Sequence, residues 1–352
     1  MISVKHTLKG PSHIFKRLTM FGVLAIFFNL PCAAQLAQSD GVFTIAFGSC
    51  NKTDLPNTLW DDIVKAKPDL FIWGGDIVYA DTANMKKLAR YYQELNELPG
   101  YQLLKENTPI IGTWDDHDYG MNDGGVHFKA KKASQQVFLD FMGVPSESPR
   151  RKQPGVYAAH SYKIGAKNIK VLVLDTRYFR ADLTPDNETS KRNKPNPYGQ
   201  GTVLGDAQWE WLEAELTDPA ADYTLLVSSV QFLSNKHGFE CWGNFPNEVD
   251  RLEQLLVKTQ PKNLMIISGD RHISEISSKQ VAGLPYDLVD ATSSGLTHAY
   301  SAFKGEENPF RISKVVATES FGILKLHAKA AHISIELVTD GGVVAASHDL
   351  RF

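Results

Sequence analysis

Four short stretches of this sequence gather residue types that do chemistry. Gly48-Ser49-Cys50-Asn51 carries a thiol, and Gly74-Gly75-Asp76-Ile77-Val78-Tyr79 carries a carboxylate and a phenol. Trp114-Asp115-Asp116-His117-Asp118 adds three carboxylates and an imidazole, and Gly269-Asp270-Arg271-His272 adds a carboxylate, a guanidinium and a second imidazole. Each stretch follows an apolar run that reads as a strand, so each falls at a carboxyl end, the edge where open α/β sheets bind ligands. Together these groups offer more anionic ligand capacity than neighbouring side chains tolerate without a cation. Bound metal is the simplest compensation. The glycine pair before Asp76 lets the backbone turn tightly, so that its carboxylate projects from the strand end and can bridge two cations. Two positions keep alternatives open: Tyr79 is a ligand or a packed ring, and Cys50 is a ligand, a buried thiol or a disulfide partner of Cys241.

The elements that must carry these stretches follow from periodicity. Apolar runs at 42–47, 69–73, 109–113, 170–174, 224–230 and 263–268 read as buried strands. Helical spacing over 57–65, 85–95, 133–141, 207–216 and 247–258 alternates with them, which argues for an α/β sandwich. Strand candidates at 321–326 and 332–339, ending in Asp340-Gly341-Gly342, suggest a second sheet completed by antiparallel strands. The proline-bearing segment 182–201 reads as a surface loop.

With 43% hydrophobic and 22% charged residues, the 352-residue chain is neither disordered nor fibrous and can bury a sizeable core. Its 37 Lys and Arg against 40 Asp and Glu leave no basic patch, so no stable nucleic-acid partner is expected. The first residues read differently from the rest. Lys5, Lys9, Lys16 and Arg17 precede the apolar run 18–30 and the small residues Ala33-Ala34, the pattern of a secretory signal peptide over 1–34. Removing those four cations from 37 leaves 33 against 40 acids in a mature chain of residues 35–352, expected to be a single domain with no membrane span.

Taken in order, six motifs resemble one family. Gly-Ser-Cys, Gly-Asp-x-x-Tyr, Trp-Asp-Asp-His-Asp-Tyr-Gly-x-Asn-Asp, Leu-Asp-Thr-Arg-Tyr-Phe-Arg (174–180), Leu-Gly-Asp-Ala-Gln-Trp-x-Trp-Leu (204–212) and Gly-Asp-Arg-His are similar to those of the alkaline phosphatase D (PhoD-like) metallophosphatases, from about Phe43 onward. That family belongs to the calcineurin-like and purple acid phosphatase group. The resemblance implies two mixed sheets packed as a sandwich and flanked by helices, and two or more metal ions. Iron would be held by Cys50, Asp76, Tyr79 and His272; Asp116, Asn122 and Asp270 form an oxygen-rich second set that suits calcium, other divalent metals also fitting. His117 would hydrogen-bond the phosphate and assist the leaving group, with Asp118 available to orient its ring. Arg177, Arg180 and Arg271 match a phosphoryl group by their planar forks, although Arg177 equally suits a structural pair with Asp175. Gln231 stands near a superfamily histidine ligand, and 293–298 resembles a loop beside the pocket.

The implied function is an exported phosphoesterase acting on phosphomonoesters, phosphodiesters or both, in which a water made nucleophilic by metal attacks phosphorus. A secreted protein that binds metal or phosphate without catalysis is the alternative. A serine esterase is disfavoured because the sequence has no Gly-x-Ser-x-Gly elbow.

Overall fold

Along each apolar run, successive side chains point to opposite faces of a sheet, and this alternation sorts the molecule into layers. The computed structural model describes residues 41–352; the expected leader at 1–34 lies outside the described residues. In chain order the elements are β1 (Val42–Gly48), α1 (Trp60–Lys65), β2 (Leu70–Gly74), α2 (Met85–Glu97), α3 (Pro99–Asn107), β3 (Ile110–Thr113), the one-turn α4 (Asp116–Tyr119) and α5 (Lys131–Phe141). Next come β4 (Ala158–Ile164), β5 (Lys167–Val173), the small hairpin β6 (Thr184–Pro185) and β7 (Asn193–Lys194), α6 (Gly205–Thr217), β8 (Tyr223–Val227), α7 (Pro246–Thr259), β9 (Leu264–Ser268), β10 (Glu275–Lys279) and β11 (Leu288–Thr292). Strands β12 (Ser320–His327), β13 (His332–Thr339) and β14 (Val343–Arg351) close the chain.

Two six-stranded mixed sheets result, ordered β14-β13-β12-β1-β2-β3 and β10-β11-β9-β8-β5-β4. Ile45, Phe47 and Ile72 of the first share a buried cluster with Val171, Leu225 and Ile267 of the second, so the inner faces pack on each other. The alternate residues Ala46, Phe71 and Trp73 face outward to Ile63, Leu88 and Leu104 of the first helical layer. Leu172, Leu226 and Ile266 do the same toward Trp209 and Leu212 of α6 and Leu252 of α7. The expected α/β sandwich flanked by helices is therefore the observed architecture.

Where the reading and the structure differ, the cause is local. The closing strands do not build the second sheet; β12 runs antiparallel to β1, pairing Leu324 with Ile45, and so extends the first. Strands β4 and β10 escaped notice because their polar residues leave little apolar signal, and β11 because Asp290 interrupts its run. Helix α3 opens on Pro99-Gly100, a turn signal in sequence. There Gly100 permits close approach to α1, because an added Cβ would lie 2.6 Å from that of Trp60.

Truncation in the layer between the sheets should be felt by the whole domain. Ile267→Ala is expected to lower unfolding free energy by about 2–5 kcal/mol, seen as a lower denaturant midpoint. A loss under about 1 kcal/mol, typical of a surface site, would contradict this packing.

Candidate metal centre

Register brings the chemical residues to one edge. In the first sheet Gly48 pairs with Trp73 and Gly74 with Thr113 in parallel, so three strands end together. In the second, Ser268 pairs with Thr292. The two edges are tied across: the Ser49 hydroxyl donates to the Ser293 carbonyl (3.1 Å), and the Gly295 amide donates to the Ser49 carbonyl (3.1 Å). Gly75 is needed here on two counts, a φ of +99° and an added Cβ that would fall 2.6 Å from that of Asp115. Cys50, Asp76, Asp270 and His272 all adopt left-handed backbone, with φ of 60°, 49°, 70° and 53°. For residues with a Cβ such conformations are strained and cluster at functional sites.

Sulfur, nitrogen and oxygen donors meet on one side of Asp76. The Cys50 Sγ lies 3.5 Å from Asp76 Oδ2, and the Tyr79 hydroxyl lies 3.2 Å from the same oxygen and 3.1 Å from His272 Nε2. Ser294 braces this group: its hydroxyl is 3.0 Å from Cys50 Sγ and accepts the His272 amide at 2.7 Å. Ligand atoms of Cys50, Asp76 and His272 fall within 4.8 Å of one another. Cys50 and Cys241 are both free thiols, so the disulfide alternative is not formed. Burial pushes the Cys241 thiol up to about 12, which keeps it inert.

Oxygens alone gather on the other side. Asp115, Asp116 and Asp270 also bring ligand atoms within 4.8 Å of one another. Among the described residues, Asp115 Oδ2 and Asp116 Oδ1 are buried without a hydrogen-bond partner. Desolvation, reinforced by neighbouring charge, holds the Asp76 carboxyl well above its ordinary range; burial does the same at Asp115 against the pull of Arg177 and raises Asp270 to about 7. Asp116 alone moves down, because Arg177 and His117 outweigh its burial. Unpartnered buried oxygens beside carboxyls that resist ionising suit a positively charged neighbour, so this donor set fits bound cations.

A cavity of about 420 Å³ opens over these groups, and Asp76, Asp116, His117, Asp270, Arg271 and His272 line it. The His117 amide donates to Asp76 Oδ1 (3.3 Å), and its ring lies tilted by 30° against Tyr79 with centroids 4.1 Å apart. Its Nδ1 lies 2.8 Å from Asp81 Oδ2. Burial opposes protonation of this ring, but Asp81 and Asp116 overcome it and raise the imidazole to about 9. Asp118 does not orient it. That carboxylate is fully buried and accepts the Asp115 amide (2.7 Å), the Ile77 amide (3.2 Å) and the Tyr92 hydroxyl (3.3 Å). A side chain at the third position of a helix turns back on the N-cap, and Asp115 with Asp118 forms that reciprocal cap on α4. The Asp-x-x-Asp spacing could have shown this; no comparable spacing singled out Asp81.

The arginines divide. Arg271 lines the cavity, donates from Nη2 to both oxygens of Glu306 (2.9 Å each) and lies 4.1 Å above the Phe239 ring. Arg177 does not reach the cavity lining. Its fully buried guanidinium donates to Asp115 and, at 2.7 Å, to Glu240, which also pairs with Arg180 at 2.7 Å. Nor does that guanidinium pair with Asp175, whose carboxylate accepts the Arg177 and Tyr178 amides instead (2.8 and 2.9 Å). Arg177 is thus a positioning residue for Asp115, and Glu240 is the buried acid that sequence reasoning missed. Asn122 lies exposed on the cavity rim. Gln231 is buried outside the cavity lining, donating to Glu275 and Thr292 at 2.9 Å each. The 293–298 loop does reach the site through Ser294 and through His298, whose ring meets His272 edge-on at 4.4 Å.

A family model described as PhoD-like phosphatase matches residues 45–296. Alkaline phosphatase D of Bacillus subtilis (strain 168) is 22% identical over 282 residues, covering 68% of this chain and 47% of its own, so the chain spans about half the length of that relative. A solved structure of PhoD superposes with a TM-score of 0.70 at 17% identity, over 89% of this chain and 70% of that one. A dimetal phosphatase from Danio rerio superposes with a TM-score of 0.56 at 12% identity, over 89% of this chain and all of its own. At these identities the two structures share the fold.

The two carboxylates near His117 should separate by stability. Asp118→Ala strips the acceptor from two amides and a phenol, more than relief of one buried acid returns, and should lower unfolding free energy by about 1–3 kcal/mol. Asp81→Ala, at a half-exposed side chain, should stay within about 0.5 kcal/mol. Equal thermal shifts in the two variants would contradict the assignment of Asp118 to the cap.

Proposed function

The chain belongs to the PhoD-like phosphatase family, and from that premise we propose that it is an exported, metal-dependent phosphoesterase acting on phosphomonoesters or phosphodiesters. Residues 1–34 would direct export and 35–352 would form a single metallophosphatase domain. One observation carries the reading: a thiol, a phenol, an imidazole and several buried carboxylates converge beneath one cavity, with two carboxylate oxygens left unpartnered among the described residues.

Cys50, Asp76, Tyr79 and His272 would hold the softer ion, iron by preference, because thiolate and phenolate suit a redox-capable metal. Asp116, Asp270 and Asn122 would hold the harder one, calcium by preference, with Asp115 adjoining and Asp76 between the two sets. Bound cations supply charge neutralisation for the phosphoryl oxygens and lower the pKa of water.

The remaining work falls to side chains. Arg271, held in place by Glu306 and Phe239, presents its guanidinium toward the cavity for a phosphoryl oxygen. Asp81 takes Nδ1 of His117, which fixes the ring and leaves Nε2 to donate a proton to the departing alkoxide. A tilted ring contact with Tyr79 packs against the same imidazole. Arg177 keeps Asp115 and Glu240 fixed beneath the acids that would bind metal.

Two outcomes test this. Asp76→Asn and Asp116→Asn should retain the fold by circular dichroism while kcat falls by roughly a thousandfold or more; wild-type turnover in either variant would refute its ligand role. His117→Ala and Asp81→Asn should slow alkyl esters far more than nitrophenyl esters, whose leaving group needs no proton, and the double variant should be little worse than His117→Ala. Equal slowing of both esters would remove His117 as the proton donor.

A further inference from the structure

A phosphoryl group is small, and much of the cavity of about 420 Å³ remains for the alcohol that carries it. Its walls hold an unexpected pair. Phe239 and Tyr300, 37% and 41% exposed, are among the few large apolar side chains that the described residues leave at the surface, and both line this cavity. Exposed aromatic faces beside convergent polar groups mark a place where a ligand ring can stack.

Both rings are anchored. Phe239 is followed by Glu240, whose buried carboxylate is gripped by Arg177 and Arg180, and its own amide donates to His237 Nδ1 at 3.1 Å. Before it, the Gly238 carbonyl accepts the Asn193 amide at 2.8 Å. The Tyr300 amide donates to the carbonyl of His272 at 2.6 Å, and its ring meets Phe303 edge-on with centroids 6.3 Å apart. Rings carried on a backbone tied down in this way lose less freedom on stacking than rings on a loose loop.

We propose that Phe239 and Tyr300 form a clamp for a planar aromatic group, such as a nucleobase, on the alcohol side of the substrate. This deepens the phosphoesterase reading and rests on it: the same site prefers nucleotide esters to sugar or alkyl esters. A cationic headgroup suits the clamp less well. Arg271 already covers one face of Phe239 at 4.1 Å, so a quaternary ammonium seated on that ring would stand beside a guanidinium.

Adenosine 5′-monophosphate and ribose 5-phosphate share the phosphoryl group and the primary alcohol and differ by the base alone. With metal-replete protein, kcat/KM should favour the nucleotide by about tenfold or more, the scale of one stacked base. Tyr300→Ala and Phe239→Ala should bring the ratio toward unity, and Tyr300→Phe should retain it, because the ring and not the hydroxyl stacks. A wild-type ratio near unity, an unchanged ratio in the double alanine variant, or preference for phosphocholine would each overturn the clamp. Calorimetric binding of the same two compounds separates the two readings. If neither these monoesters nor their methyl diesters are hydrolysed the phosphoesterase reading fails, while tighter binding of the nucleotide still supports the clamp and equal binding overturns it.

Discussion

Like charges crowded out of water are the constraint on which this molecule is organised. Asp76, Asp115 and Asp116 lie at one edge with Cys50 among them, nearly or wholly removed from solvent, and the half-buried Asp270 joins them. In that environment ionised carboxylates repel one another and lose their hydration, so the carboxyls of Asp76, Asp115 and Asp270 are pushed up while only Asp116 moves down. Protein cations relieve part of the burden. Arg177 and Arg180, both buried, neutralise Asp115 and Glu240 at the base of the cluster. Among the described residues Asp76, Asp116 and Asp270 form no such ion pair, and positive ions are the natural remedy.

The fold is shaped to meet this demand. Two sheets pack face to face and carry their parallel strand ends to a common edge, where Gly75 and Gly269 allow backbones to pass at distances no side chain would permit. Gly269 sits so close that an added Cβ would fall 2.6 Å from the Ser49 hydroxyl. Four residues bearing candidate ligands adopt left-handed backbone at these strand ends. Strain of that sort destabilises the chain, and the extensive inter-sheet core is what supports it.

Much of this was legible from residue order. Continuous apolar runs bounded by polar turns located β1, β2, β3, β5, β8 and β9, and the Gly-Ser-Cys, Gly-Gly-Asp and Gly-Asp-Arg-His sequences marked the ends that converge. Sequence does not encode which way a side chain turns once it arrives. Asp118 stands next to His117 in the chain yet serves the helix cap, while Asp81, thirty-six residues away from His117, holds the imidazole. Arg177 lies in a motif expected to bind phosphate, but the buried Asp115 and Glu240 claim its guanidinium first, since unpaired buried acids are the costlier alternative. Strands such as β10 left little apolar trace because Glu275, Ser277, Ser278 and Lys279 fill all but one of its positions.

The most direct test of a cation-held site is elemental analysis of the protein purified from its native host, followed by chelation and reloading. Two or more firmly held metal equivalents per chain are expected, one of them redox-active, with protons released as the stripped protein takes metal up again. A chain that emerges with less than one equivalent, takes up none on reloading and still hydrolyses phosphate esters at its full rate would contradict the claim that these carboxylates converge in order to hold metal.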